Sequence, residues 1–515
     1  MKPLSQASAS PLEIELKLGL PPEQTALFLK LMARRRCKPE QHKLVTRYFD
    51  TPDFALSSQG IALRVRKIGR RWVQTLKTEG ARLGGLSQRV EHEMAVPGDK
   101  PDWSRFPAEV QAWVPESLRV RLVPVFETHF SRTAWLIGGL HGAQVEVALD
   151  VGEVLAGKRS QPICEIELEL KAGQPDALYA LAQTWAGKLD CLPLDVSKAE
   201  RGVRLALGQP YAPVQFVSPV IHESMCVEDG FVSIVQACLT QFQANLPGVL
   251  EAGISGVSDP EFLHQARVAL RRLRVALRLY RKVCIPADAL LADLSALDAA
   301  LGPARDWDVL CGETLPAIAP AFPETRGWKA GMRVLEAERI AVRSTMQATV
   351  RQIRPGVWLL AFQLWLLQAG WRNKGVLSSQ LQGQQAPLKE WACKKLKKSH
   401  QGVVRGARKQ VQGSPSQRHA LRLAIKHQRY ATEFFGALFD PLMKKRYLRA
   451  IRSVQSGLGR LNDMSVGFER VSEFHGEMGT MRPFLLGWLA ALQSDTAVGE
   501  IENQLQSFIK TPAYW

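Results

Sequence analysis

Glutamates at alternate positions open and close the first part of this chain. Residues 12–18 read LEIELKL, and residues 164–170 read CEIELEL. Alternate residues of a strand share a face, so Glu13, Glu15 and Lys17 would lie together on one side. Neighbouring carboxylates suit a divalent metal ion, and a lysine beside them suits the phosphate oxygens that such an ion binds. For any one strand, the alternative is a charged face in water over an apolar core.

The strands between these two segments also carry charged faces, and the faces have both signs. The charged positions that share faces in this way are Arg64, Arg66, Lys77, Arg89, Glu91, Glu93, Glu146, Asp150, Glu165, Glu167 and Glu169. Mixed charges on many strands suit the inside of a wide barrel whose apolar outer face is covered by helices. In such a tunnel the cations would hold a polyphosphate, and the carboxylates would hold hard divalent metal ions.

The period of the sequence divides the chain. Residues 12 to about 205 alternate with period two between turn signals, whereas the period beyond Pro219 is helical. We therefore predict a multidomain α and β protein. An antiparallel β tunnel or barrel of about eight strands with flanking helices would occupy 10–206. A proline-containing linker would occupy 207–223, and an all-α bundle built from a duplicated unit would occupy 224–510.

A basic pattern recurs within the helical part. The first copy is His264, Arg267, Arg271 and Arg274, and the second is His419, Arg422, Lys426 and Arg429. A second pair of segments, LGPARDWDV from 301 and LGRLNDMSV from 458, matches at nearly the same offset, which indicates a duplicated helical unit. The spacing places each basic set on one helix face. Such a face is either a polyanion-binding surface or a cationic surface with ion-pair partners.

The composition favours a polyanionic partner. The net charge is +18, and the part after residue 215 holds 38 Lys and Arg against 25 Asp and Glu. The basic faces lack the interleaved aromatic residues of a single-strand platform, which argues against nucleic acid. Eight scattered cysteines without a CxxC pair indicate reduced thiols. The start lacks a secretory signal, and the most apolar run is too short to span a bilayer, so we expect a cytoplasmic, soluble protein without a membrane partner.

The first part of the chain resembles the CYTH domains, also known as triphosphate tunnel metalloenzymes. The resemblance covers nearly all of 10–205 and begins with ExExK at Glu13, Glu15 and Lys17. It continues through YFDTP at 48–52, LRVR at 63–66, Lys77, GLSQR at 85–89, Arg132, LDVGEV at 149–154, CEIELEL at 164–170 and SKA at 197–199.

This resemblance implies roles for the charged residues. The implied metal ligands are Glu13, Glu15, Asp150, Glu165 and Glu167, which would bind Mg²⁺ or Mn²⁺. The implied substrate-binding residues are Lys17, Arg64, Arg66, Lys77, Arg89, Arg132 and Lys198. The implied catalytic residues are Glu13, Glu15, Lys17, Lys77, Arg89, Glu169 and Lys198. Glu169 is a candidate general base, although a metal-bound hydroxide would need no protein base.

The helical part resembles the CHAD domain, and the CYTH–CHAD order resembles the bacterial inorganic triphosphatases. The implied reaction is cleavage of tripolyphosphate to pyrophosphate and phosphate, with inorganic polyphosphate bound by the two basic sets of the helical domain. The second copy has Lys426 and His427 where the first copy has Arg271 and Arg272, so phosphate binding is predicted less firmly for the second copy than for the first. The alternatives are a class IV adenylyl cyclase or thiamine triphosphatase, and a non-catalytic polyphosphate-binding protein.

Overall fold

The structure is a computed structural model, and its residues group into two compact units. It describes residues 12–35, 37–138, 142–251, 259–372, 378–410, 415–492 and 495–515. The first unit extends to Ala212 and includes Arg354–Gln368, and the second comprises Pro213–Ile353 and Ala369–Trp515. Residues 10 and 11, where the predicted first domain begins, lie outside the described ranges. The predicted fold class is confirmed, since the named strands belong to the first unit and the second is helical.

The first unit contains ten strands and seven helices among its described residues. The strands are β1 (Leu12–Gly19), β2 (Glu40–Asp50), β3 (Ile61–Ile68), β4 (Arg71–Thr78), β5 (Ala81–Leu83), β6 (Leu86–Val96), β7 (Val123–Gly138), β8 (Gln144–Ala156), β9 (Arg159–Ala172) and β10 (Leu192–Pro193). The helices are α1 (Thr25–Ala33), α2 (Ala55–Ser58), α3 (Ala108–Gln111), α4 (Glu116–Arg119), α5 (Asp176–Ala186), α6 (Lys198–Leu207) and α12 (Pro355–Leu367).

Eight of these strands close into an antiparallel barrel. Their order around the barrel is β1-β9-β8-β7-β2-β3-β4-β6, and β6 pairs again with β1. The short strands β5 and β10 are added to β6 and β1. Closure pairs both edges of each of these eight strands, so the backbone hydrogen bonds of the barrel are satisfied within it.

The apolar faces of the barrel strands point outward under helices. Leu16 and Leu18 of β1 are fully buried in one hydrophobic core with Phe28 of α1 and Tyr179 of α5. A second core on the other side joins Leu63 of β3 to residues of α2 and α3. Because apolar residues occupy the outer positions, the alternating charged residues of the same strands must point into the barrel.

Helix α6 packs against the inner face of the barrel. It begins with a capping box, in which Ser197 accepts from the backbone of Glu200 and the Glu200 carboxylate accepts from the backbone of Ser197. A Cβ atom at Gly202 would lie 2.0 Å from the Phe126 ring of β7, so glycine permits the close approach of the helix to the strand. This packing holds Lys198 of α6 inside the barrel.

Helix α12 packs in the first unit, although its sequence lies within the predicted helical domain. Leu360 belongs to the core that also contains Leu168 of β9 and Trp185 of α5. The helix is apolar on nearly all sides, with buried residues throughout, so it requires burial around its circumference. Helical periodicity could not indicate which unit it joins. The predicted boundaries at 10–206, 207–223 and 224–510 otherwise stay a prediction.

The second unit is built from the remaining helices. They are α7 (Val227–Leu250), α8 (Pro260–Tyr280), α9 (Asp288–Val309), α10 (Leu315–Ile318), α11 (Thr325–Ile353), α13 (Ser378–Gln385), α14 (Leu388–Gln410), α15 (Pro415–Phe435), α16 (Pro441–Glu473), α17 (Met481–Ala491) and α18 (Asp495–Ile509). The two basic sets lie on α8 and α15, and the second pair of matching segments lies on α9 and α16. The duplicated sequence therefore corresponds to duplicated helices.

The cysteines and the apolar helices bear on two predictions from the sequence, reduced thiols and the lack of a membrane-spanning segment. All eight cysteines fall within the described ranges and are free thiols. Among the described helices, none combines the length and the hydropathy needed to cross a bilayer. The cytoplasmic location expected from the sequence stays a prediction.

Candidate functional site

The inside of the barrel contains a cavity of about 370 Å³ that is lined by charged side chains. The predicted site residues that line it are Glu13, Glu15, Lys17, Arg64, Arg66, Lys77, Arg89, Arg132, Glu167, Glu169 and Lys198. Asp150 and Glu165 are fully buried and contact the Lys198 ammonium behind the lining. The structure thus brings together every residue that the sequence proposed for the tunnel.

Strand register explains why the carboxylates lie together. Glu15 of β1 lies opposite Glu169 of β9, and Glu169 lies opposite Glu146 of β8, so three carboxylates form one row across three strands. In the next row, Lys17 lies opposite Glu167. Directly opposed residues of an antiparallel pair point to the same face. The wall formed by β1, β8 and β9 is therefore mainly acidic.

The Lys198 ammonium lies at the centre of a carboxylate cluster. Its Nζ atom donates to Asp150 at 2.6 Å, to Glu165 at 2.5 Å and to Glu167 at 2.9 Å. Although burial opposes its charge, the three carboxylates raise the pKa of Lys198. Burial opposes ionisation of Glu167 as well, but Lys198 and Arg132 hold the pKa of Glu167 well below its usual range. Both groups are therefore charged at neutral pH.

A second group of ion pairs lies at the start of β1. Lys77 and Arg89 both contact the Glu13 carboxylate, at 2.8 and 2.9 Å. Arg89 also contacts Glu15, whose other neighbour is the Lys17 ammonium at 2.8 Å. These cations are long and flexible, and their partners could be exchanged for phosphate oxygens without moving the backbone.

Arg66 differs from the other tunnel cations. Its Nε donates to the Thr46 hydroxyl at 3.0 Å, and no carboxylate of the described residues lies within ion-pair distance of it. Burial, and then the like charges of Arg64 and Arg132, lower the pKa of Arg66 to about 10. The group stays charged at neutral pH, and the repulsion from Arg64 and Arg132 exceeds the attraction of Tyr48 and Asp150. An anion placed beside it would relieve that repulsion, so this side of the cavity is arranged to bind one.

The carboxylates have the chemistry of a divalent-metal site. Oxygen atoms of Asp150, Glu165 and Glu167 lie within 4.8 Å of one another, and carboxylate oxygens are preferred ligands of Mg²⁺ and Mn²⁺. The row of Glu15 and Glu169 offers further oxygens toward the cavity. These residues fit a hard divalent cation, which could replace some of the present contacts to lysine and arginine.

Several cavity residues did not appear among the sequence-predicted site residues. Glu146 lines the cavity; the alternation of β8 places it on one face with Asp150, but the sequence predicted no role for it. Arg82 and Glu200 also line the cavity and pair with each other at 2.6 Å. Tyr48 is buried beside Arg64 and Arg66. Although burial opposes it, these arginines lower the pKa of the Tyr48 phenol.

In the second unit, the two basic helix faces lie close enough to repel each other. Burial, followed by the charges of Arg271 and Arg422, lowers the pKa of Lys426 to about 6. Burial and the charge of Arg271 likewise lower the pKa of Arg267 to about 10. The opposing carboxylates are Asp463 of α16, which acts on Lys426 and Arg422, and Asp306 of α9, which lies 3.7 Å from Arg267. Cations of α8 and α15 therefore form one cluster rather than two separate surfaces.

This helical basic cluster, defined as Arg267, Arg271, Arg422 and Lys426, retains unsatisfied donors. The buried Nε atoms of Arg267 and Arg422 have no hydrogen-bond partner in the described part of the chain. Arg267 does donate from another nitrogen to the Gly302 carbonyl at 3.0 Å. Unpaired buried donors are costly unless a ligand satisfies them. The cluster is therefore suited to an anionic ligand.

The other four basic residues of the repeat lie in different surroundings. Arg274 pairs with Asp298 at 2.6 Å, and Arg429 lies 3.4 Å from Glu433. His264 and Arg429 line a second cavity, of about 400 Å³. Burial, and then the charges of Arg305 and Arg271, lower the pKa of His264, whereas His419 is exposed. The predicted basic set is thus only partly gathered into one place.

Two family models match the chain. The CYTH domain model matches residues 11–203, and the CHAD domain model matches residues 233–472. The inorganic triphosphatase of Haemophilus influenzae is 34% identical to this chain over 203 residues. That match covers 38% of this chain and 56% of the relative, so the chain spans about half of the length of this curated relative.

A solved structure resembles the helical part. The crystal structure of the CHAD domain from the plant Ricinus communis is 27% identical to this chain, with a TM-score of 0.52. The match covers 59% of this chain and 100% of the plant domain. Sequence and structure comparisons therefore agree on the helical unit.

Proposed function

Because the chain contains a CYTH domain at residues 11–203 and a CHAD domain at residues 233–472, we propose that it is a divalent-metal-dependent triphosphatase. Its substrate would be inorganic triphosphate, cleaved in the barrel to pyrophosphate and phosphate. The helical unit would bind inorganic polyphosphate. The similarity to the Haemophilus inorganic triphosphatase supports the phosphohydrolase class, and the geometry of the cavity supports the substrate.

The environment of Arg66 carries this proposal. A structural ion-pair network would place a carboxylate beside each cation, as it does for Lys198 and Arg89. Arg66 instead lies beside Arg64 and Arg132. Among the described residues no carboxylate lies within ion-pair distance of it, and Asp150 attracts it only from farther away. A buried guanidinium in this state is unfavourable until an anion arrives, and arginine binds phosphate oxygens with two parallel hydrogen bonds. A site that binds anions alone would not need the carboxylates of β1, β8 and β9.

The chain's own residues account for most of the proposed reaction. Arg64, Arg66 and Arg132 would hold the phosphate oxygens and stabilise the charge that develops as water attacks the terminal phosphorus. The attacking oxygen forms a bond to phosphorus, and the bridging P–O bond breaks, with its electron pair leaving on pyrophosphate. A Mg²⁺ or Mn²⁺ ion held by the carboxylates would neutralise phosphate charge and lower the pKa of a bound water.

Glu169 is the candidate to accept the proton of the attacking water. It lines the cavity, and burial raises its pKa from the ordinary glutamate value. Lys171 at 2.7 Å opposes this effect, whereas the neighbouring Glu13 and Glu146 add to it. A carboxylate with a raised pKa is a stronger base, so it suits the step better than an ordinary glutamate.

Organic triphosphates are a second candidate substrate class. Ile61, Val196 and Val203 line the same cavity and could contact the organic group of ATP or of thiamine triphosphate. The Arg82–Glu200 ion pair lies in this lining as well. A class IV adenylyl cyclase or a thiamine triphosphatase therefore remains a defined alternative, which substrate comparison can decide.

Parallel incubations test the proposed function. Purified protein with Mg²⁺ or Mn²⁺ is given tripolyphosphate, ATP, thiamine triphosphate or long-chain polyphosphate, and released phosphate and cyclic AMP are measured. We expect fastest phosphate release from tripolyphosphate, and no release after chelation of the metal. Formation of cyclic AMP, preference for thiamine triphosphate, or no turnover of any substrate would each contradict the proposal.

Polyphosphate binding by the helical unit rests on the helical basic cluster. Its repelling charges and unpaired Nε donors favour an extended polyanion, because such a ligand satisfies several donors at once. A non-catalytic polyphosphate-binding protein would share this feature. It would not require the acidic row of Glu15, Glu169 and Glu146 in the barrel.

A further inference from the structure

An ion pair between Arg82 and Glu200 lies within the lining of the barrel cavity but outside the proposed set of site residues. The Arg82 Nη1 atom lies 2.6 Å from a Glu200 carboxylate oxygen. The side chains are 29% and 42% exposed, whereas those of Lys198, which lines the cavity, and of Glu165, which lies behind it, are nearly inaccessible. The pair is therefore the water-facing counterpart of the buried ion pairs deeper in the barrel.

Strand register directs Arg82 into the barrel. Arg82 of β5 lies opposite Ser87 of β6, and Ser87 lies opposite Glu15 of β1. Glu15 is in turn opposite Glu169 of β9. Since directly opposed residues share a face, Arg82 extends the inward-facing carboxylate row by a cation at its end.

The two partners differ in how firmly they are held. The second carboxylate oxygen of Glu200 accepts from the Ser197 backbone at 2.8 Å, as part of the capping box of α6. Arg82 lies on a three-residue strand next to Gly84 and Gly85, which both have positive φ. Glu200 is therefore the fixed partner, and the long Arg82 side chain is the one free to change its contact.

The position of Arg82 matches one end of a linear phosphate chain. The Lys198 ammonium contacts Glu165 and Glu167 of β9, whereas Arg82 belongs to the row of Glu169. Glu165 lies behind the lining, so the relevant contact of Lys198 is Glu167, which is two residues, or about 7 Å, along β9 from Glu169. Side chains that reach inward shorten this span, so a triphosphate bound near Lys198 would present its other end toward Arg82.

We propose that Arg82 is a further substrate-binding residue, which leaves Glu200 when inorganic triphosphate enters and then binds the phosphate farthest from Lys198. This inference rests on the proposed function. Glu200 would hold the guanidinium in place while the cavity is free of substrate, and its negative charge would weaken binding of the incoming anion. The exchange is favourable because an exposed ion pair is weak, whereas an arginine–phosphate contact is charge-assisted and bidentate.

Steady-state kinetics with tripolyphosphate tests the exchange. We expect Arg82→Ala to raise KM about 10-fold and to change kcat by less than about twofold, because the contact is lost equally from the bound substrate and the transition state. Arg82→Lys should restore part of the loss. Glu200→Gln should lower KM about threefold, since glutamine retains the capping box but removes the competing charge.

A matched ion pair outside the cavity provides the control. Arg121 pairs with Asp53 at 2.7 Å and is exposed, so Arg121→Ala removes a similar pair without touching the lining. Its KM should equal that of the wild type. An unchanged KM in Arg82→Ala, or a raised KM in Glu200→Gln, would overturn the proposed role. Equal losses in Arg82→Ala and Arg121→Ala would also overturn it, because they would indicate a purely structural effect.

Direct binding separates this inference from the proposed function. If the wild type does not hydrolyse tripolyphosphate, the proposed function fails. Calorimetric titration of the wild type and of Arg82→Ala with tripolyphosphate in the absence of metal still measures the Arg82 contact. Weaker binding by the variant supports the contact, and equal binding contradicts it. If the wild type hydrolyses tripolyphosphate and Arg82→Ala has an unchanged KM, the proposed function is retained and only the proposed role of Arg82 is rejected.

Discussion

The barrel cavity and the helical basic cluster both contain several arginine and lysine side chains, but the charged neighbours of these side chains differ. In the barrel, Lys198 contacts three carboxylates, and Arg89 contacts two. In the helical basic cluster, Arg271 and Lys426 face other cations, with Asp463 as a single opposing carboxylate among the charges that shift Lys426. Both signs of charge suit a metal–phosphate reaction, whereas one sign suits a polyanion that is only bound.

The largest effect is expected at Arg66, where the barrel most resembles the helical basic cluster. Arg66→Ala should lower kcat/KM for tripolyphosphate at least about 100-fold, since it removes charge stabilisation at the reacting phosphate. It should change the melting temperature little, because relief of the repulsion from Arg64 and Arg132 offsets loss of the hydrogen bond to Thr46. Hydrolysis and thermal melting are measured on the same preparation.

The control for Arg66 is an arginine on the neighbouring turn. Arg70 is exposed between β3 and β4 and does not line the cavity, so Arg70→Ala should retain the wild-type kcat/KM. If Arg66→Ala were fully active, the unpaired guanidinium would not serve the substrate. Arg66 would then no longer be a barrel cation that lacks an ion pair in order to bind a ligand, as proposed for the helical basic cluster.

A charge reversal in the helical basic cluster should produce the next largest effect. Arg271→Glu places a negative charge beside Arg267, Arg422 and Lys426 and should weaken polyphosphate binding at least about 10-fold, because it converts attraction for the ligand into repulsion. Titration with long-chain polyphosphate at several salt concentrations measures the change. A shallower salt dependence should accompany the loss.

Unchanged affinity in Arg271→Glu would place the polyphosphate site elsewhere. The exposed Arg278 on α8 gives a matched comparison, since Arg278→Glu makes the same charge change but lies outside the cluster. Arg271→Glu should therefore be the weaker binder of the two. Equal affinities of the two variants would show that overall charge alone decides binding.

A smaller effect is expected from pH through Lys426. Its pKa of about 6 in the free protein means that the side chain is largely neutral at pH 7, and a bound polyanion would favour the protonated form. The pKa must then be higher in the complex, so binding takes up a proton and strengthens as pH falls toward about 6. The groups facing Lys426 are Arg267, Arg271, Arg422 and Asp463.

This linkage can be measured with one conservative variant. Between about pH 8 and about pH 6, polyphosphate affinity of the wild type should rise about 10-fold more than that of Lys426→Arg, which stays charged throughout. Parallel pH profiles for the two proteins would contradict the assignment of the proton to Lys426.

The alternation of the strands allowed much of the barrel site to be predicted. Glu13, Glu15, Arg64 and Arg66 lie on inward faces because their neighbours in sequence are apolar and pack outward. Alternation is a property of each strand by itself. It could not identify the pairing of Arg82 with Glu200, since the two residues are far apart in sequence and meet only after the barrel closes around α6.

The same limit applies to the helices. The periodicity of α8 and α15 predicted the two basic faces but not which residues of each face would meet. Arg271 lies near enough to Lys426 to lower its pKa, whereas Arg274 pairs with Asp298 instead. Likewise, the apolar sequence of α12 predicted a buried helix but could not show that it packs on α5 of the first unit. Long-range packing decides these outcomes, and local pattern carries no information about it.

Hydrolysis in the barrel and polyphosphate binding in the helical unit should be separable by mutation. Glu15→Gln tests this separation most directly, because the change removes one carboxylate from the acidic row while preserving the size of the side chain. Tripolyphosphate hydrolysis should fall at least about 100-fold, and the affinity for long-chain polyphosphate should stay within about twofold of the wild type. A variant in which hydrolysis and polyphosphate affinity fall together would contradict this division of labour.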